Sequence, residues 1–126
     1  MKCLSIKQPY CDLILSRKKP YEIRSWRTNY RGKILICSSQ KPISSRFKNL
    51  VLGSTICVVD LVDIVPFKKN MKKLSHIDYI PNTWAWVFKN PIKIKNVNIQ
   101  GKLGLFNLPT NLKDAVILEQ DPALLL

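Results

Sequence analysis

The chain of 126 residues is predicted to fold as a single α+β domain, a small curled β-barrel of about five to six mostly antiparallel strands with flanking short helices. Three observations lead there. Short runs rich in β-branched and aromatic residues recur along the chain, and glycine, proline and asparagine punctuate them. Only one early segment has a convincing helical period, and strands and helices do not alternate regularly. The domain is expected to span 1–126, with a core of about 3–109 and a C-terminal tail over 110–126.

Residues 3–7 form a short strand with Leu4 and Ile6 on one face. Gln8 and Pro9 lead into a helix over 9–16, where Tyr10, Leu13 and Ile14 recur at helical spacing and Asp12 sits near the positive end of the dipole. Arg17, Lys18 and Lys19 crowd positive charge at its end, and Pro20 stops it. A strand over 21–26, a polar turn over 27–32 and an apolar strand over 33–37 follow. Residues 38–42 read as a loop and 43–50 as a short basic helix. The run 54–65 is apolar on both faces, as a central strand requires, and Pro66 ends it. Residues 67–83 read as a lysine-bearing surface excursion with one helical turn. Trp84, Trp86 and Phe88 share one face of the next strand, as a platform or as core. Pro91 is expected to interrupt, leaving 92–95 as an edge strand. A glycine-eased turn at 101–104 opens the last strand, and 112–119 suits a C-terminal helix.

Lysine and arginine number 21 against 8 aspartate and glutamate, a formal charge of +13. The excess is concentrated: residues 1–49 carry 12 basic and 2 acidic side chains. Such an imbalance points to a polyanionic partner, nucleic acid first, although a lysine-rich composition drifting with an AT-rich genome would also produce it. Cys3, Cys11, Cys37 and Cys57 lack metal-ligand spacing, and His76 has no ligand near it in sequence, so no metal and no cofactor are expected. With no signal-peptide pattern and no apolar run near 18 residues, the chain reads as cytoplasmic, with buried reduced thiols and no membrane partner.

The densest mixture of ionic and aromatic groups is the stretch 16–26. On a strand, Glu22, Arg24 and Trp26 project from one side and Tyr21 and Ile23 from the other. They are either a solvated pair beside a core tryptophan or the floor of a cleft.

The segments Leu4-Ser5-Ile6-Lys7-Gln8-Pro9-Tyr10, Lys19-Pro20-Tyr21-Glu22-Ile23-Arg24-Ser25-Trp26, Tyr30-Arg31-Gly32, Trp84-Ala85-Trp86-Val87 and Gly101-Lys102-Leu103-Gly104-Leu105 together resemble the ASCH domain. That family is named for homology to activating signal cointegrator 1 and belongs to the PUA-like superfamily. Its signature Gly-x-Lys-x-x-Glu-x-Arg is matched at Lys19, Glu22 and Arg24, while Arg17 stands where the glycine belongs and would add a bulky cation at the cleft mouth. The resemblance covers about residues 3–109. It implies a curled barrel whose cleft floor includes the motif strand. Related domains bind RNA or modified bases, and some bacterial relatives are amidohydrolases that remove the acetyl group from N4-acetylcytidine with a lysine, a hydroxyl residue and a separate glutamate. Here Glu22 occupies the hydroxyl position, and no glutamate lies between Ile23 and Leu118.

Three functions are weighed. In the first, RNA rather than DNA, or a nucleoside, is bound. Phosphate contacts would come from Arg17, Lys18, Arg27, Arg31, Lys33, Lys41, Arg46 and Lys48. Lys7, Gln8, Arg24, Trp26, Ser38, Ser39, Trp84 and Trp86 would line the ligand, with Glu22 and Arg24 reading a base edge. In the second, the domain hydrolyses a modified nucleoside or RNA, Lys19 and Glu22 being catalytic. In the third, Lys19, Glu22 and Arg24 form a buried ionic network that fixes the barrel of a protein-interaction domain.

Overall fold

The computed structural model describes residues 1–117. The tail beyond them, with the end of the helix expected over 112–119, lies outside the described residues. The strands are β1 (Lys2–Ile6), β2 (Tyr21–Arg24), β3 (Gly32–Ser38), β4 (Thr55–Pro66), β5 (Trp84–Lys93) and β6 (Leu105–Asn107). They form one curled half-barrel sheet in the order β2-β5-β4-β3-β1-β6. Every pairing is antiparallel except that of β1 with β3. The helices are α1 (Tyr10–Leu15), α2 (Lys72–Ser75) and α3 (Thr110–Ile117), with a 3-10 turn at Lys69–Met71 before α2.

The sheet separates two apolar layers. The inner layer joins Leu4, Ile6, Ile34, Ile36, Val59, Leu61, Trp86 and Phe88 to Cys11 and Ile14 of α1. The outer layer packs Cys3, Leu35, Cys37 and Val58 under Ile94, Ile99, Phe106 and Val116. The first half of β4 is buried on both faces, as its sequence requires, because both layers rest on it. All four cysteines are buried and unbridged. Burial pushes the Cys3 and Cys57 thiols up to about 12 and Cys37 to about 11, so they stay protonated and unreactive at neutral pH. Among the described residues no cluster of histidine, cysteine, aspartate or glutamate could hold a metal ion, and no helix is long and apolar enough to cross a membrane.

Two expected elements differ. The basic helix over 43–50 does not form; the segment is irregular and passes through a left-handed Asn49 (φ 59°). Pro91 does not divide the strand, since β5 continues to Lys93. The register advances from Asp60–Lys89 to Val58–Ile92, which leaves an extra residue on β5 at Asn90 (φ 55°) and Pro91. A bulge is where a strand tolerates the missing proline N–H.

The same backbone logic explains residue 17. Helix α1 ends in a tight reversal in which the Lys18 amide donates to the Leu13 carbonyl at 2.9 Å, and Arg17 takes a left-handed conformation with φ 67°. Glycine suits that position because it lacks a Cβ, and an arginine there carries strain of about 1 kcal/mol. Arg17→Gly is therefore expected to stabilise the domain by about 1 kcal/mol in urea denaturation. An unchanged or lower stability would show that the arginine side chain compensates for its backbone.

Candidate functional site

Glu22 lies opposite Trp86 in the β2–β5 ladder, which turns its carboxylate into the inner layer, where it is 5% exposed. A buried carboxylate needs charged partners, and two reach it. Arg24 Nη2 donates to Oε2 at 2.9 Å, and Lys19 Nζ stands 3.6 Å from Oε1. The same Nη2 also donates to the Ser5 carbonyl at 2.9 Å. Because β2 is one edge of the sheet and β1 lies four places away, that bond spans the open side of the half-barrel.

Lys19 is fully buried. Its ammonium donates to the Ser75 carbonyl at the end of α2 and stands 4.6 Å from the centroid of the Tyr10 ring. Burial lowers its pKa; the Glu22 carboxylate opposes that shift and the Arg24 charge adds to it. The network Ser75–Lys19–Glu22–Arg24–Ser5 thus ties an excursion, a strand edge and a second strand together.

Arg24 is also the wall of a cavity of about 490 Å³. Because β1 and β3 run parallel, their C-terminal ends emerge side by side and contribute Ser5, Lys7, Ser39 and Gln40. The loop before β6 closes the other side with Gln100, Gly101, Lys102 and Leu103. Ser5 Oγ and Ser39 Oγ are 3.1 Å apart. At Gly101 a Cβ would stand 2.6 Å from Ser5 Oγ, so any larger residue would displace the Ser5 side chain. Leu103 is completely exposed. Three cations and no carboxylate line the cavity. Arg24 Nε is buried and has no hydrogen-bond partner among the described residues.

The expected site residues separate accordingly. Lys7, Arg24 and Ser39 meet in this cavity. Glu22 does not face it: both oxygens are engaged, so Glu22 orients Arg24 rather than reading a ligand itself. Gln8 is fully buried, bonding Asp12 and the Val51 carbonyl, and Ser38 is held against Ser54, so neither faces a ligand. Trp86 is fully buried, with its indole N–H donating to the Trp26 carbonyl at 3.1 Å, and it offers no face to a base. Trp26 packs edge-on against it at 4.8 Å. Trp84 is half-buried and already carries the Arg27 guanidinium 4.4 Å from its ring centroid.

Arg31 and Lys33 are at the opposite end of β3 from Ser39, roughly 20 Å away by strand rise, and pair with Asp63 and Asp60. Lys41, Arg46 and Lys48 are exposed on the irregular segment after Gln40. Arg17 and Lys18 are exposed beyond α1, and Arg17 lines a separate, smaller cavity of about 200 Å³. It therefore does not stand at the mouth of the cationic cavity. Sequence reasoning missed Ser5, Gln40, Gln100 and Lys102. The available signal was a lysine held between two glycines, which reads equally as a turn.

The ASCH domain family model matches residues 4–98. The crystal structure of ASCH from Zymomonas mobilis superposes with a TM-score of 0.66 at 15% identity, covering 90% of each chain. A tyrosine-to-phenylalanine mutant of the Zymomonas mobilis protein gives a TM-score of 0.62 at 15% identity, over 90% of this chain and 94% of that one. A serine-to-alanine mutant gives 0.59 at 16% identity, over 90% and 92%. At these identities the likeness shows the fold. No curated protein sequence matches the chain.

Glu22→Gln is expected to cost about 3 kcal/mol, because it strands two cations, and adding Lys19→Met is expected to recover part of that loss. A double-mutant cycle in urea checks this; additive effects would mean that the two side chains do not interact. Burial makes the folded chain hold the Lys19 proton less tightly than the unfolded chain does. The Lys19 contribution to stability is therefore expected to rise as pH climbs toward the ordinary lysine value of 10.5. Relative to Lys19→Met, the wild type gains stability over that window; a pH-independent difference would contradict the assignment.

Proposed function

We propose that this chain, which belongs to the ASCH domain family, is a nucleic-acid-binding module that takes a nucleotide of single-stranded RNA, or a modified base, into the cavity beside Arg24. The observation that carries the reading is the Arg24 guanidinium: it is fixed by Glu22 and the Ser5 carbonyl, and it keeps a buried Nε–H without a partner at the wall of a cavity lined by cations. An electron-rich acceptor, a phosphate or a base carbonyl, would pair with the guanidinium from the cavity side, and reaching the buried Nε–H takes a small shift of the Arg24 side chain.

The remaining chemistry is consistent with a nucleotide. Lys7 and Lys102 supply mobile cations for phosphate oxygens, which position a strand without reading it. Gln40, Gln100 and the two serine hydroxyls both donate and accept, as recognition of a base edge requires. Leu103 offers apolar contact at the rim. About 490 Å³ is within the range of small-ligand sites. The formal charge of +13 favours capture of a polyanion from solution.

Hydrolysis of a modified nucleoside is the second reading, favoured by one observation: a lysine with lowered pKa beside a carboxylate. Lys19 is fully buried and does not line the Arg24 cavity; with Arg17 it lines the separate cavity of about 200 Å³, which is where this chemistry would have to take place. Incubation with N4-acetylcytidine tests it. Turnover abolished by Lys19→Ala, in a variant that still folds, would favour the hydrolase.

For binding, fluorescence anisotropy with a short single-stranded oligoribonucleotide is expected to show log affinity falling by roughly 0.7 per phosphate contact for each unit of log salt. Arg24→Gln is expected to weaken binding by about tenfold or more. Lys102→Gln, on an exposed loop, is expected to lower the salt slope by about 0.7 and leave the fold intact. Binding that is flat with salt and indifferent to Arg24 would reject the reading.

A further inference from the structure

The four lysines of the excursion take no part in the cavity, yet all are exposed: Lys68 just before the 3-10 turn, Lys69 in it, and Lys72 and Lys73 in the single turn of α2. One carboxylate answers them: Asp78 pairs with Lys72 at 2.9 Å, and among the described residues Lys68, Lys69 and Lys73 make no ion pair. The positive surface does not stop there. His76 Nε2 lies 2.9 Å from the Lys18 carbonyl, which sets the exposed Arg17 and Lys18 beside the turn. Lys69, Lys72, Lys73 and His76, with Asp78 as the one carboxylate, line a concavity of about 590 Å³. Cations held this densely repel one another, and the repulsion is relieved when a polyanion lies over them.

This surface is also in fixed register with the cavity. The last residue of α2, Ser75, gives its carbonyl to Lys19, and Lys19 continues through Glu22 to Arg24 at the cavity wall. Resting on the RNA reading above, we propose that the Lys68–Lys73 turn is a second, sequence-independent subsite that grips the phosphate backbone of an RNA strand whose reading nucleotide sits beside Arg24. In this arrangement Lys19 is a positioning residue, holding the phosphate grip and the reading pocket at a constant separation. Leu74 and Ile80 are exposed nearby and, with the lysines, could address an anionic bilayer. A four-residue helix is one turn long, however, too short to lay an apolar face along a membrane.

The test compares wild type with a variant carrying Lys68→Gln, Lys69→Gln, Lys72→Gln and Lys73→Gln, titrated with a trinucleotide and with a single-stranded RNA of about 15 nucleotides over a salt series. The variant is expected to bind the longer RNA about tenfold or more weakly, with a salt slope smaller by about 2 to 3, and to bind the trinucleotide as wild type does. Unchanged affinity and slope for the longer RNA would overturn the second subsite. If Arg24→Gln still weakened the trinucleotide in that case, the pocket reading would stand alone. Wild type binding neither RNA would overturn the pocket reading and this subsite with it. Loss of binding to phosphatidylserine vesicles, with RNA binding unchanged, would assign the surface to a membrane instead and overturn the proposal.

Discussion

The Glu22 carboxylate is the constraint on which the rest of the structure depends. It is placed inside the half-barrel by one register position of the β2–β5 ladder, and a charge there is tolerable only with cations on both oxygens. The two cations come from different directions. Lys19 arrives from the segment after α1 and carries the end of α2 with it, while Arg24 reaches over to β1. The edge strand β2 thereby acquires a directional tie across the open side of the sheet to β1. Such a tie is worth more for uniqueness of shape than for net stability, because desolvating three charges offsets most of their attraction.

The tie also prepares the site. A free arginine on a strand end samples many rotamers, and binding would have to freeze them at a cost of about 0.5–1.5 kcal/mol. Here that ordering accompanies folding. The guanidinium reaches the cavity with its plane set by Glu22 and Ser5 and with one buried donor unused. The price is that Glu22 and Lys19 are consumed by structure, which separates this cavity from chemistry that would need either group in contact with a ligand.

Much of this was legible in the sequence. The α+β class, the single early helix and the doubly buried β4 followed from period, punctuation and residue type, and the motif at Lys19, Glu22 and Arg24 from the resemblance to the ASCH domain. A buried ionic network was among the weighed readings, and its members are joined as ion pairs. What was not legible depends on where strand ends meet. Ser5 looks like an ordinary half-exposed strand serine until the parallel pairing of β1 and β3 brings it to Ser39. Trp84 and Trp86 share one strand face in sequence, yet Trp84, the first residue of β5, carries Arg27 while Trp86, inside the strand, is core. Arg17 looked like a chemical departure at a glycine position; its left-handed φ shows that the position concerns the chain reversal after α1.

The burial of every cysteine has a practical corollary. The thiols at 3, 11, 37 and 57 are occluded and protonated, so the native surface is silent toward thiol-specific reagents. A cysteine introduced by Leu103→Cys, at a side chain now wholly in solvent on the rim of the cavity, would be the only one to take a fluorophore. The molecule is in that sense already prepared for single-site labelling, and a dye there would report occupancy of the cavity without any native residue having to be removed.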